Sequence, residues 1–148
     1  MKILNRRNIT SLTKIRDPFL MVDKIENIEI NKSSTGRKKI TKNSWFFKCH
    51  FINNPIMPGT LIEEAMLQTI VSTLYFGGKC KNKLCLITSS KTTFYSKVNK
   101  PTILKIDIKI LKITKLKAET SAIVTNNEGI KIASGSYKYF ISHNEKKK

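Results

Sequence analysis

TLIEEAMLQTIVSTLYF, residues 60–76, carries apolar side chains at 61, 62, 65, 66, 67, 70, 71, 74, 75 and 76. Spacings of three and four predict a helix, and the apolar positions cover most of its circumference. Such a helix must be covered on nearly every side, so it belongs in a core. Pro58 and Gly59 stand where it would begin, and Gly77-Gly78 supply a stop. It lies inside a window of thirty residues, Cys49 to Gly78, that contains no lysine or arginine, in a chain whose formal charge is +18.

The cover must come from strands. Asn8 to Lys14 reads as one or two helical turns ended by Asp17-Pro18, because the residue before proline is pushed out of the helical region. FLMVDKIENIEI, residues 19–30, is a noisy strand, NKSSTG, residues 31–36, a turn cluster, and RKKITKNSWFF a hairpin partner. After the helix, LCLITSSKTTFYSKV starts a series of about four strands. ILKIDIKI alternates at Leu104, Ile106, Ile108 and Ile110, then changes phase at Ile110-Leu111, which predicts a bulge or bend. AETSAIVT and IKIASGSYKYFI flank a hairpin turn at Asn126 to Gly129. Two strands, one buried helix and about four strands make an α+β fold, an antiparallel sheet wrapped around one central helix.

Composition narrows the function classes. A length of 148 residues fits one domain able to bury roughly two-thirds of its unfolded surface. No stretch has the roughly 20 consecutive apolar residues of a membrane span, and MKILNRRNITSLTK lacks the apolar block of a secretory signal, so the expected location is cytoplasmic. Cys49, Cys80 and Cys85 have no C-x-x-C spacing, and with two histidines they form no zinc pattern; free thiols and no metal are expected. Of 28 basic residues 24 are lysines, spread over the chain outside the central window. Abundant Lys, Asn and Ile together are what AT-rich coding produces. The charge suits an acidic protein as well as a nucleic acid, and with no recognised motif or basic stripe, nucleic-acid binding is not expected.

The chemistry lies in the uncharged window. His50 precedes the helix, Glu64 falls about one turn inside it, and Gln68 follows on the same face. An imidazole and a carboxyl around a dry pocket can divide proton removal and proton delivery, and burial keeps a glutamate able to donate. The Gly59 amide would sit among helix N-terminal N–H groups that favour developing negative charge. Spacing alone leaves a second reading open: a histidine that caps a helix, and a glutamate placed in the first turn by the dipole.

His50-Phe51, Pro55-Ile56-Met57-Pro58-Gly59 and Glu64-Ala65-Met66, with Gln68 and the upstream PFLMVDKI of Pro18 to Ile25, resemble the β-hydroxyacyl-acyl-carrier-protein dehydratases of the hotdog fold. The resemblance covers about 60 residues closely and, through the strand order, nearly the whole chain. It implies a single hotdog domain at 1–142, with 143–148 a basic tail. It further implies that His50 removes the Cα proton, Glu64 protonates the departing β-hydroxyl, the Gly59 amide holds the thioester carbonyl and Gln68 orients Glu64. Phe51, Met57, Pro58 and Met66 would border the acyl chain. The histidine and the acid would come from opposite protomers of a homodimer, in some members a trimer of dimers. No metal or soluble cofactor is implied: the substrate rides on the phosphopantetheine of acyl carrier protein, in fatty-acid or related acyl-chain synthesis.

The sequence also departs from this pattern. Cys49 to Ile52 look like the branch that also isomerises the double bond, whereas Glu64 looks like the dehydratase-only branch, which is the reading adopted. Asn53 stands where the family has glycine, and asparagine reaches left-handed angles more readily than most residues. Glu63 occupies a usually apolar position, and FYSKVNKPT, residues 94–102, has lost the family's proline-glycine-aspartate ending. Trp45, Phe46 and Phe47 read as core or tunnel wall, Cys49 points away from His50 on an extended segment, and His143 is uninvolved. The rivals are a hotdog acyl thioesterase, with Glu64 activating water, and a non-catalytic acyl-binding subunit.

Overall fold

The structure is a computed structural model and describes residues 2–80 and 82–143. A short strand β1 (Leu4–Asn5) leads into helix α1 (Arg6–Thr13), then β2 (Lys24–Glu29), β3 (Ser33–Ile40), a 3-10 turn at Trp45–Lys48, and helix α2 (Gly59–Phe76). Four strands follow: β4 (Leu84–Phe94), β5 (Thr102–Ile113), β6 (Lys117–Thr125) and β7 (Lys131–Ser142). All seven strands form one antiparallel sheet in the order β1-β2-β3-β5-β6-β7-β4. This is the α+β architecture expected from the helix pattern.

Helix α2 is the core. Ile62, Ala65, Met66, Ile70 and Leu74 are at most 2% exposed, against Leu104, Ile106, Val124, Ala133 and Ile141 of the sheet's inner face. Each large side chain so buried contributes about 1.5–3 kcal/mol over its exposed state. The helix also buries Thr69, Ser72 and Thr73, whose hydroxyls donate to carbonyls four residues back at 2.8, 2.6 and 2.8 Å. Turned onto their own backbone, these three hydroxyls are satisfied inside the sheet. Gly36 of β3 lets α2 approach: a β-carbon there would lie 2.5 Å from Thr69 Oγ1. A smaller core of Leu4, Ile9, Leu20, Val22 and Ile25 holds α1 against one end.

Several boundaries differ from the sequence reading: the partner strand expected over 37–47 ends at Ile40, and Trp45–Lys48 form a 3-10 turn capped by Cys49, which is therefore not on an extended segment. Residues 19–23 stay outside the sheet, because the Met21 N–H is taken by the Gln68 side chain instead of a strand neighbour. The turn at 31–36 is shorter than expected: Asn31 takes φ 59 and Lys32 N–H donates to Glu29 O at 2.9 Å, so Ser33 already starts β3. The predicted bulge is present as a register shift between Ile110 and Lys112, and Gly129 turns the last hairpin at φ 78. Of the expected tail only His143 is described; 144–148 lie outside the described residues. Among the described residues no helix is long and apolar enough to cross a membrane.

Candidate active site

The loop ahead of α2 holds its own backbone. His50 N–H donates to Phe46 O at 2.9 Å, Ile56 N–H to His50 O at 2.9 Å, and Phe51 and Asn54 exchange a pair of bonds at 2.8 and 2.9 Å. Asn53 makes that tight turn at φ 59, the left-handed angle that asparagine tolerates where glycine is otherwise preferred. Met57 N–H donates to Val98 O at 2.8 Å and pins the loop to the segment after β4.

These bonds fix the His50 ring. Its Nδ1 lies 2.8 Å from Ile56 O, and a carbonyl can only accept, so Nδ1 carries the proton. In the neutral ring Nε2 is then left with its lone pair, the arrangement of a general base. The Phe51 ring lies over the imidazole, centroids 3.6 Å apart.

Glu64 is held by Gln68, one turn further along α2. Gln68, only 1% exposed, accepts from Met21 N–H at 2.7 Å, and its amide nitrogen donates to Phe19 O at 2.8 Å and Glu64 Oε1 at 3.0 Å. Both ends of the amide are committed, so its orientation is settled and one carboxylate oxygen has a fixed place. Glu64 and Gln68 open on a cavity of about 250 Å³ with Leu67, Val71, Leu84 and Tyr139 in its wall. Burial raises the Glu64 pKa; the Gln68 bond opposes this, and the neighbouring Glu63 charge adds to the rise. Glu64 therefore holds its proton more tightly than an ordinary glutamate.

Gly59 is the first residue of α2, after Pro58 as N-cap, with no side-chain cap on the helix. Among the described residues, the N–H groups of Gly59 and Thr60 donate to no acceptor. The Phe94 ring covers this end: a β-carbon on Gly59 would lie 3.1 Å from it. A second cavity of about 300 Å³, bordered by Ile56, Gly59, Ile62, Phe94 and Lys97, opens there. An unsatisfied helix N-terminus facing a cavity suits a carbonyl oxygen that gains charge.

The expected site residues thus fall in three places. Glu64 and Gln68 share one cavity, Met57 and Gly59 border another, and His50 lines neither. Met57 and Met66 are buried in the core at 1% and 0% exposure, Pro58 caps α2, and Phe51 is about half exposed. Thr13, Ile15 and Tyr139 border the Glu64 cavity without any sequence signal, since only α1 docking and strand β7 bring them there. Thr92, which donates to Glu63 at 3.0 Å, was equally hidden. Among the described residues no group of three or more His, Cys, Asp or Glu side chains could hold a metal.

Residues 15–134 match the family model described as a FabA-like domain. The chain belongs to that family. This FabA-like chain is 35% identical over 125 residues to a 3-hydroxyacyl-[acyl-carrier-protein] dehydratase FabZ of Clostridium botulinum, covering 84% of this chain and 87% of the relative. It is 36% identical over 111 residues to the protein of the same name from Clostridium novyi, at 74% and 78% coverage. Among solved structures, the dehydratase heterocomplex ApeI:P from Xenorhabdus doucetiae superposes with a TM-score of 0.75 at 12% identity, covering 91% of each chain. A hypothetical thioesterase with coenzyme A from Streptococcus pneumoniae gives 0.64 at 12% identity, covering 82% of this chain and 87% of that one. At such identities these likenesses establish the fold of the FabA-like chain, the expected hotdog, and leave its chemistry to the site.

Proposed function

We propose that the chain is a dehydratase, a hydro-lyase that removes water from a β-hydroxyacyl thioester on acyl carrier protein and leaves the trans-2-enoyl thioester. The observation that carries this reading is the Glu64 carboxyl held by Gln68 at the wall of a mostly apolar cavity, where burial raises its pKa. His50 with a free Nε2 supplies the complementary base. The relatives of the same name, at 35% and 36% identity, support it.

In this reaction His50 Nε2 takes the Cα proton, and the electron pair of that C–H bond moves toward the thioester carbonyl, whose oxygen meets the Gly59 N–H. The pair then forms the Cα–Cβ double bond as the Cβ–O bond breaks, and Glu64 gives its proton to the departing hydroxyl, which leaves as water. Proton loss from His50 and proton gain by Glu64 reset the site. Water release needs both groups, which separates this reading from a thioesterase. No metal or soluble cofactor enters, and the acyl chain occupies apolar space beside Glu64.

A second copy of the chain completes the site. His50 lines no part of the Glu64 cavity within one chain. Strand β4 is an 11-residue sheet edge with Leu84, Leu86, Ile87 and Phe94 all more than 40% exposed. An open, apolar edge of that length favours pairing with another copy. We therefore read the assembly as a homodimer with His50 and Glu64 from opposite protomers, able to associate further as a trimer of dimers. The cytoplasmic carrier protein, being acidic, suits the lysine excess.

The test is incubation with a β-hydroxyacyl carrier-protein thioester, followed by mass, beside His50→Ala and Glu64→Gln. Loss of one water by the wild type, reduced roughly 10²–10⁴-fold in each variant, is the expected result. Release of free acid would replace the dehydratase by a thioesterase, and an intact substrate across chain lengths would favour a non-catalytic subunit.

A further inference from the structure

Glu63 has no part in the reaction described above, yet it sits beside the acid in the one window of the chain without basic residues. Neighbouring positions on a helix are about 100° apart, and here both carboxyls are turned toward β4. Glu63 Oε2 accepts from Thr92 Oγ1 at 3.0 Å, and Glu64 opens on the cavity walled by Leu84, Leu86 and Ile87. Because Thr92 spends its proton on Glu63, its Oγ1 accepts from the fully buried Tyr137 hydroxyl at 2.8 Å, with Met66 Sδ a further 3.5 Å contact of that hydroxyl. A chain of hydroxyls running out of the core therefore ends on the Glu63 carboxylate and holds it in place.

We propose, resting on the dehydratase reading, that Glu63 is a positioning residue: anchored by Thr92 and Tyr137, its charge keeps the adjacent Glu64 carboxyl in the proton-donating form. Among the described residues of one chain, the groups named around the pair on α2, β4 and β7 carry no positive charge, and on the dimer reading His50 of a second copy is the one basic group brought to Glu64. Glu63 meets Thr92 of β4 and, beyond it, Tyr137 of β7, whose pKa burial pushes up to about 12. Glu64 bonds Gln68 and shares its cavity with Tyr75 of α2, Cys85 of β4 and Tyr139 of β7; burial raises both phenols, and the hydrogen bond with Cys80, then burial, raises the Cys85 thiol. Among the described residues no ion pair engages either carboxylate. With no cation of the same chain engaging either carboxyl, charge on Glu63 opposes ionisation of Glu64 and adds to the rise that burial causes. An apolar side chain at 63 would leave the acid dependent on burial alone.

The sign follows. Removing the Glu63 charge lowers the midpoint of Glu64, so above that midpoint a smaller fraction carries the proton. Glu63→Gln keeps the shape and an acceptor for Thr92 while removing the charge; Glu63→Asp restores charge on a shorter stem. Side-chain 13C-carboxyl titration of the intact protein, with Glu64 assigned by its disappearance in Glu64→Gln, reads the midpoint without reference to activity. The midpoint is expected to fall in Glu63→Gln and to return in Glu63→Asp. Dehydration by Glu63→Gln should drop roughly three- to tenfold at alkaline pH and approach the wild-type rate at acid pH. An unchanged midpoint, or an equal loss of rate at every pH, overturns the proposal and makes Glu63 a packing residue. A shifted midpoint in a protein that never dehydrates would uphold the coupling and sink the dehydratase reading.

Discussion

Helices α1 and α2 close their ends in opposite ways. Helix α1 is sealed: the Asn5 side chain accepts from Asn8 N–H at 3.0 Å, the Asn8 side chain accepts from Asn5 N–H at 3.1 Å, and Lys14 at φ 62 sends its N–H back to Thr10 O. Helix α2 begins at Pro58-Gly59 with no side-chain cap; among the described residues the N–H groups of Gly59 and Thr60 donate to no acceptor, and Gly59 borders a cavity. A cap residue at the α2 start would stabilise it by about 1 kcal/mol. The short peripheral helix has this stabilisation and the long central one forgoes it. The difference separates a helix end that only has to fold from one kept open for an incoming oxygen.

The largest change expected from that comparison comes at Gly59. Proline is tolerated at the first helical position but removes the N–H, so Gly59→Pro should keep α2 and lower kcat for dehydration roughly 10²–10³-fold. Gly59→Ala brings the same β-carbon against the Phe94 ring at 3.1 Å yet keeps the donor. A fall confined to the proline variant, measured on the carrier-protein substrate, isolates the N–H; equal losses would reduce the open end to a steric matter.

At the sealed end, Asn5→Ala should cost about 1 kcal/mol in denaturant midpoint analysis and leave kcat untouched. A loss of activity at constant stability would mean that α1, whose Thr13 borders the Glu64 cavity, takes part in substrate binding and not merely in closure.

The smallest effect is in the pH dependence of stability. Burial raises the Glu64 pKa in the folded chain, so its folded state holds the proton more tightly than the unfolded one. That contribution is fully present below the ordinary glutamate range and is lost as pH rises through the raised value. Glu64→Gln has no such loss, and its thermal midpoint should gain on wild type as pH increases across that window. A constant difference at all pH would mean that the α2 acid is no more desolvated than the exposed residues of α1.

Much of this was legible in residues 46–76 and in the alternation of 103–113. The apolar circumference of 60–76 required a covered helix, and the phase change at Ile110-Leu111 marked a real register shift, because both follow from local periodicity. The turn at 31–36 misled because Asn31 alone makes the reversal, and Gly36 serves contact with Thr69 instead of the turn. A glycine looks the same in sequence whether it supplies a positive φ or simply room.

By itself the sequence determined the elements, the central helix and the candidate His50, Gly59, Glu64 and Gln68, since each depends on neighbours within a few turns or on a motif of fixed spacing. Only the tertiary structure decided what holds them. Gln68 is locked by backbone groups of Phe19 and Met21, nearly fifty residues away, and Glu63 is tied to a hydroxyl of β4 that meets Tyr137 of β7. Hydrogen bonds between such distant residues leave no periodic trace, because the sheet order that brings β4 beside β7 is set by burial of the whole inner face around α2.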